Sequence, residues 1–354
     1  MDRTAGRDPE SGDRKLIALA LQGGGAHGAF TWGVIDRLLE DGRLAIEGVS
    51  ATSAGAMNAA VLASGLQRGG SDGARAALHA FWQDVAHAAQ YASPFRKMPW
   101  ETFLHDGDAN GYTLDYSPMY VITDLMLRMW SPYQFNPMNF NPLRDVLERH
   151  VDFEALRAGC PIHLHLCATN VETGKVRVFD GHEISADAVL ASACLPFLFQ
   201  AVEIDGEHYW DGGYMGNPAI FPLIYHCGTR DVVIVHINPI VRRGVPKTAS
   251  EIMNRINEVS FNSSLMRELR AISFVTSLLQ ESKIDRPDMK EMLIHSIRSD
   301  EAMSALGVSS KLNADWSFLC FLRDEGRARA EAWLHDNFDA IGQRSSIDIR
   351  AEFL

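Results

Sequence analysis

A serine hydroxyl becomes an effective nucleophile when a sharp strand-to-helix turn exposes it, a base takes its proton, and backbone N–H groups receive the charge that develops on the attacked oxygen. Two segments of this chain carry residue types suited to such a site. Ser53 lies in Ala51-Thr52-Ser53-Ala54-Gly55, where an apolar run meets a small-residue helix, and it follows the glycine-rich turn Gly23-Gly24-Gly25-Ala26-His27-Gly28 by 25 residues. The pattern A-x-S-x-G is one residue off the G-x-S-x-G nucleophile elbow. Ala51 adds only a methyl where a small side chain is needed, and Gly55 stays where the backbone is most crowded. Serine at a strand-helix junction is also what capping selects, so an N-cap is the plain alternative for Ser53.

The glycine turn fits G-x-G-x-x-G literally, between a strand and a helix, with Asp41 and Glu47 near the distance of a ribose-binding carboxylate. That spacing allows a dinucleotide site, an acyl oxyanion site or a simple turn, and a phosphate-binding P-loop is excluded because no Lys-Ser/Thr follows. Thirteen histidines are present, none in a distinctive setting for a base. Asp211-Gly212-Gly213 does stand out: it closes the strand containing Tyr209-Trp210, and its glycines let the chain run close to another segment. Asp-Gly is also a common turn.

The elements that must position these residues follow from periodicity. Residues 15–22 form a β-like apolar run ending at the glycine turn, 29–40 carry apolar residues at helical spacing up to Asp41-Gly42, and 46–52 form a strand that reaches Ser53. An Ala-rich helix over 54–66 and a second helix over 72–88 come next. The order strand, turn, helix, repeated, predicts a parallel sheet with helices on its faces, and sites in such sheets form at the carboxyl ends of strands. Further strands are predicted at 162–168, 176–179 and 230–238, with a hairpin of 201–204 and 208–210 around Asp205-Gly206. Residues 251–280 repeat apolar positions helically, so the last third reads as mainly helical.

Three regions flank or interrupt this pattern. Residues 1–14 read as a loose tail, 15–240 as the domain that carries the three motifs, and 241–354 as a helical region packed on it. Within the domain, residues 90–145 form a proline-broken insertion rich in Met and aromatic residues, suited to a lid, an acyl-chain wall or a cover for the core.

Composition is ordinary for a globular chain, with 46% hydrophobic and 22% charged residues among 354. A net charge of −12 argues against nucleic acid as a partner and against constitutive attraction to anionic lipid. No apolar run approaches the roughly 18 to 20 residues of a membrane span, and the start lacks the apolar core of a signal peptide, so a cytoplasmic protein with at most peripheral membrane contact is expected. Five cysteines without C-x-x-C spacing indicate neither a zinc site nor a disulfide framework, and nothing in the sequence sets an oligomeric state.

Glycine turn, serine elbow and Asp-Gly-Gly, in that order, resemble the patatin-like phospholipase family, bacterial members in particular. Ala191-Ser192-Ala193-Cys194-Leu195-Pro196 also looks like that family's small-residue helix ending at proline. The resemblance covers roughly residues 15–238. It implies a three-layer α/β fold, with a mostly parallel central sheet between helices, and a lipid acyl hydrolase that works without metal or organic cofactor. By the same resemblance Ser53 is the nucleophile, Asp211 its proton acceptor in a Ser-Asp dyad, and Gly23 to Gly28 the oxyanion hole, while the substrate is a phospholipid or another acyl ester met by transient membrane contact. Ala51 departs from the family's usual glycine, and His27 stands where many members have Arg or Lys. The competing expectations are a catalytically silent lipid-binding or scaffold protein of the same fold, and a nucleotide-binding oxidoreductase.

Overall fold

The computed structural model describes residues 14–93, 95, 112–115, 117–281 and 289–354. The tail before residue 14 and most of the first half of the 90–145 insertion lie outside the described residues. Eight strands form one sheet: β1 (Lys15–Leu21), β2 (Leu44–Thr52), β3 (His163–Asn170), β4 (Val176–Asp180), β5 (Val202–Ile204), β6 (Glu207–Asp211), β7 (Asp231–Val235) and β8 (Leu293–Ile297). Their order is β5-β6-β3-β2-β1-β7-β8, with β4 also paired to β3. From β3 to β8 the neighbours run parallel, whereas β4, β5 and β6 pair antiparallel.

Strand alternation divides the core into two apolar layers. Ile17, Leu19 and Leu21 of β1, with Val233 and Val235 of β7, face one side, where they meet Phe30, Val34 and Leu38 of the Gly28–Asp41 helix and Phe318, Leu319 and Leu322 of the Trp316–Asn337 helix. Ala18 and Ala20 of β1, with Val232 and Ile234, face the other side, against Leu223, Leu265, Leu269 and Phe353. The result is a helix-sheet-helix sandwich, as the strand-helix alternation predicts.

Local signals account for most boundaries. Gly42, at φ 74°, closes the first helix through its N–H to Leu38 O. The helical segment Ala54–Ala92 is broken at Gly69-Gly70, where Gly70 has φ 60° and ψ −149°, so the two predicted helices abut across a two-glycine kink. Asp205 and Gly206 both take positive φ, the turn geometry that a two-residue hairpin prefers. The mainly helical last third also contributes β8, which pairs parallel to β7. Leu293-Ile294-His295-Ser296-Ile297 carries polar His295 and Ser296 and has no alternation that would single it out as a strand.

Candidate active site

Parallel pairing brings the first two motifs together. Leu21 lies opposite Ala51, so the glycine turn leaves β1 and Ser53 leaves β2 at the same edge of the sheet. A methyl group at Gly23 would lie 2.6 Å from Ser53 Cβ, and one at Gly28 would lie 2.6 Å from Ala54 Cβ. Ala51 is fully buried with its methyl in the core, which shows why this departure from glycine is accommodated. Gly55 has no such room: a Cβ there would come within 2.5 Å of Leu21 O.

Ser53 itself takes φ 55° and ψ −123°, a strained conformation for a residue with a side chain. Its N–H donates to Ser192 Oγ at 2.9 Å, and Ser192 Oγ donates to Cys167 O at 2.6 Å. The side chain does not cap its helix, so the N-cap alternative has no hydrogen bond behind it. Thr52 Oγ1 donates to Gly216 O. Ser53 thus sits at a turn held from both sides and is itself buried, with 7% of its surface exposed.

Register along β3 brings Asp211 to the same place. Thr52 pairs with Cys167, and the next residue of β3, Ala168, pairs with Asp211. Gly212 then passes so close to Cys167 O that a side chain there would overlap it. Asp211 N–H donates to Cys194 O at 2.8 Å, so the segment containing Ser192 and Cys194 ties down both Ser53 and Asp211. The Asp211 carboxyl is fully buried; Oδ1 accepts the Gly213 N–H at 2.7 Å, and Oδ2 has no hydrogen-bond partner. Burial pushes its pKa up to about 6, opposed by the Gly213 N–H, the Ser53 hydroxyl and the Lys311 ammonium. Ser53 is among the groups close enough to act on this carboxyl, and Oδ2 is the oxygen left without a partner.

Gly25-Ala26-His27 form a single 3-10 turn that runs into the Gly28–Asp41 helix. The first N–H groups of a helical turn have no partner within it, so those of Gly24, Gly25 and Ala26 lie at a positive helix terminus beside Ser53. Gly23 N–H is already held by Asn217 Oδ1 at 2.7 Å. His27 points away from Ser53: its Nε2 meets Ser310 Oγ at 2.7 Å, and its ring lies edge-on to Phe318. Burial, with help from Lys311, holds its pKa well below the usual histidine value, so His27 is neutral at pH 7. Gly25, at φ 58°, lies against Lys311 O so closely that a Cβ would overlap it. Gly25→Ala is therefore expected to cost at least about 2 kcal/mol, read as a lower denaturant midpoint at unchanged slope.

Sequence reasoning missed the polar residues that brace these turns. Asn217 holds Gly23, while Asn238 Nδ2 donates to Gly23 O at 2.9 Å and Gln22 Oε1 accepts the N–H groups of Ile237 and Asn238. A signal was present: Asn217-Pro218 and Asn238-Pro239 are both turn-forming Asn-Pro pairs. Ser192 belongs to the small-residue segment that ends at Pro196, but nothing local assigns its hydroxyl to the elbow. Among the described residues, no group of three or more His, Cys, Asp or Glu side chains could hold a metal ion, and no helix is long and apolar enough to cross a membrane.

A family model described as Patatin-like phospholipase matches residues 19–224, more than half of the chain. Among solved structures, VipD from Legionella pneumophila is 16% identical with a TM-score of 0.38, over 89% of this chain and 67% of that one. A chain of the heterodimeric ExoU-SpcU complex, from the type III secretion system of Pseudomonas aeruginosa, is 18% identical with a TM-score of 0.33. That match covers 93% of this chain and 61% of the other, so this protein spans less than two thirds of that relative. No curated protein matches the sequence.

Proposed function

The chain belongs to the patatin-like phospholipase family, a family of lipid hydrolases, and from that premise we propose that it is a serine acyl hydrolase cleaving carboxylic esters of lipids through Ser53 and Asp211. Ser53 Oγ adds to the ester carbonyl carbon while its proton passes to Asp211 Oδ2. The carbonyl oxygen takes the displaced electron pair and is held by the N–H groups of Gly24, Gly25 and Ala26. Collapse of the tetrahedral intermediate breaks the ester C–O bond, and Asp211 returns the proton to the leaving alcohol. Water then gives its proton to Asp211 and attacks the acyl-enzyme, and the same steps in reverse release the fatty acid and regenerate Ser53.

The observation that carries this reading is the buried Asp211 carboxyl, with one oxygen fixed by Gly213 N–H, the other unpartnered, and the strained Ser53 among the groups acting on it. Its pKa near 6 keeps it ionised at neutral pH yet basic enough to accept a proton. A fluorophosphonate probe with mass mapping of the adduct tests the assignment. The expected adduct is on Ser53 and is lost in Asp211→Asn; labelling elsewhere, or none in folded protein, would overturn the reading.

Two features support a lipid as the ester. A cavity of about 250 Å³ is lined by Met138, Phe140, Leu190, Cys194, Phe199 and Val202 together with polar side chains that include Arg144 and Asp145, and Cys194 O is the acceptor for Asp211 N–H. This cavity is the acyl-chain site in our reading. The described part of the insertion leaves a continuous set of apolar side chains exposed: Val121, Ile122, Leu125, Met126 and Met129 on the Pro118–Met129 helix, then Trp130 and Phe135. Such a face fits transient contact with a membrane surface. Leu125→Glu with Met129→Glu is expected to slow hydrolysis of vesicle-borne lipid at least about tenfold while sparing a soluble ester, because each side chain adds about 1.5–3 kcal/mol when buried. Equal losses on both substrates would show that the face serves folding instead.

A further inference from the structure

We propose that Lys311 is a positioning residue of this site, bracing the glycine turn with its main chain and presenting its ammonium group to Asp211 so that the carboxylate stays ionised. The inference rests on the reading of Ser53 and Asp211 as the reacting pair. Lys311 lies in the 3-10 turn Val308–Leu312, outside the segment matched by the family model.

The geometry links this turn to both halves of the site. Lys311 O packs on Gly25, and the preceding residue, Ser310, receives His27 Nε2 while its own Oγ donates to Gly307 O. The half-buried ammonium donates to Asn238 Oδ1 at 2.6 Å, and Asn238 passes the contact on to Gly23 O. On its other side Nζ lies 5.7 Å from the centroid of Phe261, whose ring packs directly on Gly213, the donor to Asp211 Oδ1. One cation therefore sits between the turn that precedes the nucleophile's partner amides and the turn that holds the base.

Charge around it points the same way. Glu258 and Asp211 favour the charged form of Lys311, Arg242 opposes it, and burial brings the pKa down to about 8. Glu258 is already shared by Arg242 and Arg255, whereas Asp211 forms no ion pair among the described residues. Of the other groups facing Asp211, Cys194 and Tyr214 are pushed up to about 12 and Ser53 is a hydroxyl, so none brings positive charge. His27, in contact with the same turn, is neutral. Among the described residues, Lys311 is the cation that lowers the proton affinity of Asp211, after the Gly213 N–H and the Ser53 hydroxyl.

The test compares wild type with Lys311→Met, Lys311→Gln and Lys311→Arg by two readouts: the carboxyl titration of Asp211 by carbon-13 NMR, assigned by its loss in Asp211→Asn, and kcat/KM against pH on a soluble p-nitrophenyl ester. In the Met and Gln variants the Asp211 pKa and the acid limb are expected to rise together by about one unit, cutting the rate near pH 5 about tenfold. Lys311→Arg should stay near wild type. Lys311→Gln keeps a donor for Asn238 and serves if the Met variant does not fold. An unchanged Asp211 titration in a folded neutral variant overturns the proposal whether or not the protein hydrolyses the ester. Absence of hydrolysis and of Ser53 labelling in wild type overturns instead the reading of the reacting pair.

Discussion

Ser53→Ala is expected to lower ester hydrolysis by at least about a thousandfold while leaving the protein folded and as stable as wild type to within about 0.5 kcal/mol. The substitution removes Oγ and nothing else that the fold uses. Ser53 N–H keeps its acceptor, Ser192 Oγ, because that bond runs through the backbone. Alanine takes φ near 55° with no more strain than serine, so the turn survives. On the proposed reading the remaining parts, the amides of the glycine turn and the cavity, still bind an ester, so KM should change less than kcat. Initial rates with a soluble ester, alongside thermal unfolding, decide it. Activity within tenfold of wild type in a folded Ser53→Ala protein would remove Ser53 from the chemistry.

Asp211→Asn should do two opposite things: slow hydrolysis by about a thousandfold and stabilise the fold at neutral pH. The loss of rate follows because an amide cannot accept the Ser53 proton. The gain in stability follows from the raised pKa. An aspartate whose pKa is about 6 when folded, against an ordinary 3.8, binds its proton more tightly in the native state. Its stabilising contribution is therefore complete below about pH 4 and is lost as pH rises through about 6, with a ceiling of about 3 kcal/mol for a two-unit shift. Asparagine keeps an oxygen for the Gly213 N–H and carries no charge to desolvate. The variant should thus unfold about 1–3 kcal/mol later than wild type at pH 7, and the gap should close towards pH 4. A gap that is absent at pH 7, or that widens on acidification, would contradict the buried, ionised carboxylate.

The same linkage sets the pH profile of the wild type. If Asp211 is the proton acceptor, kcat/KM should rise through about pH 6 on the acid side.

Much of the architecture was legible locally. Lys15–Leu21 and Asp231–Val235 read as buried strands because their apolar runs are short and bounded by turn residues, and the sheet uses both faces of each. The break between the helices 54–66 and 72–88, which falls at Gly69-Gly70, and the hairpin at Asp205-Gly206 were legible for a similar reason, since turn geometry is a property of a residue and its immediate neighbours. Chain order of the three motifs was enough to point to the family that the match over residues 19–224 shows. The exposure of Val121, Leu125 and Met129 was not legible, because periodicity marks an apolar helix face without saying what covers it.

The sequence by itself determined most of the secondary elements up to β7, the elbow at Ser53 and the glycine turn, since each depends on residues within a few positions of one another, whereas β8 was not legible. Only the tertiary structure decided that Ser53 and Asp211 meet, because that follows from the register of β3 against β2 and β6, which sets Thr52 opposite Cys167 and Asp211 opposite Ala168. It also decided that Ser192 holds the elbow, that His27 turns away as a neutral buttress, and that the nearby cation comes from Lys311. These are contacts between residues 100 or more positions apart in most cases, for which no local pattern exists; they are selected by packing and by the need to pair buried polar groups once the sheet has formed.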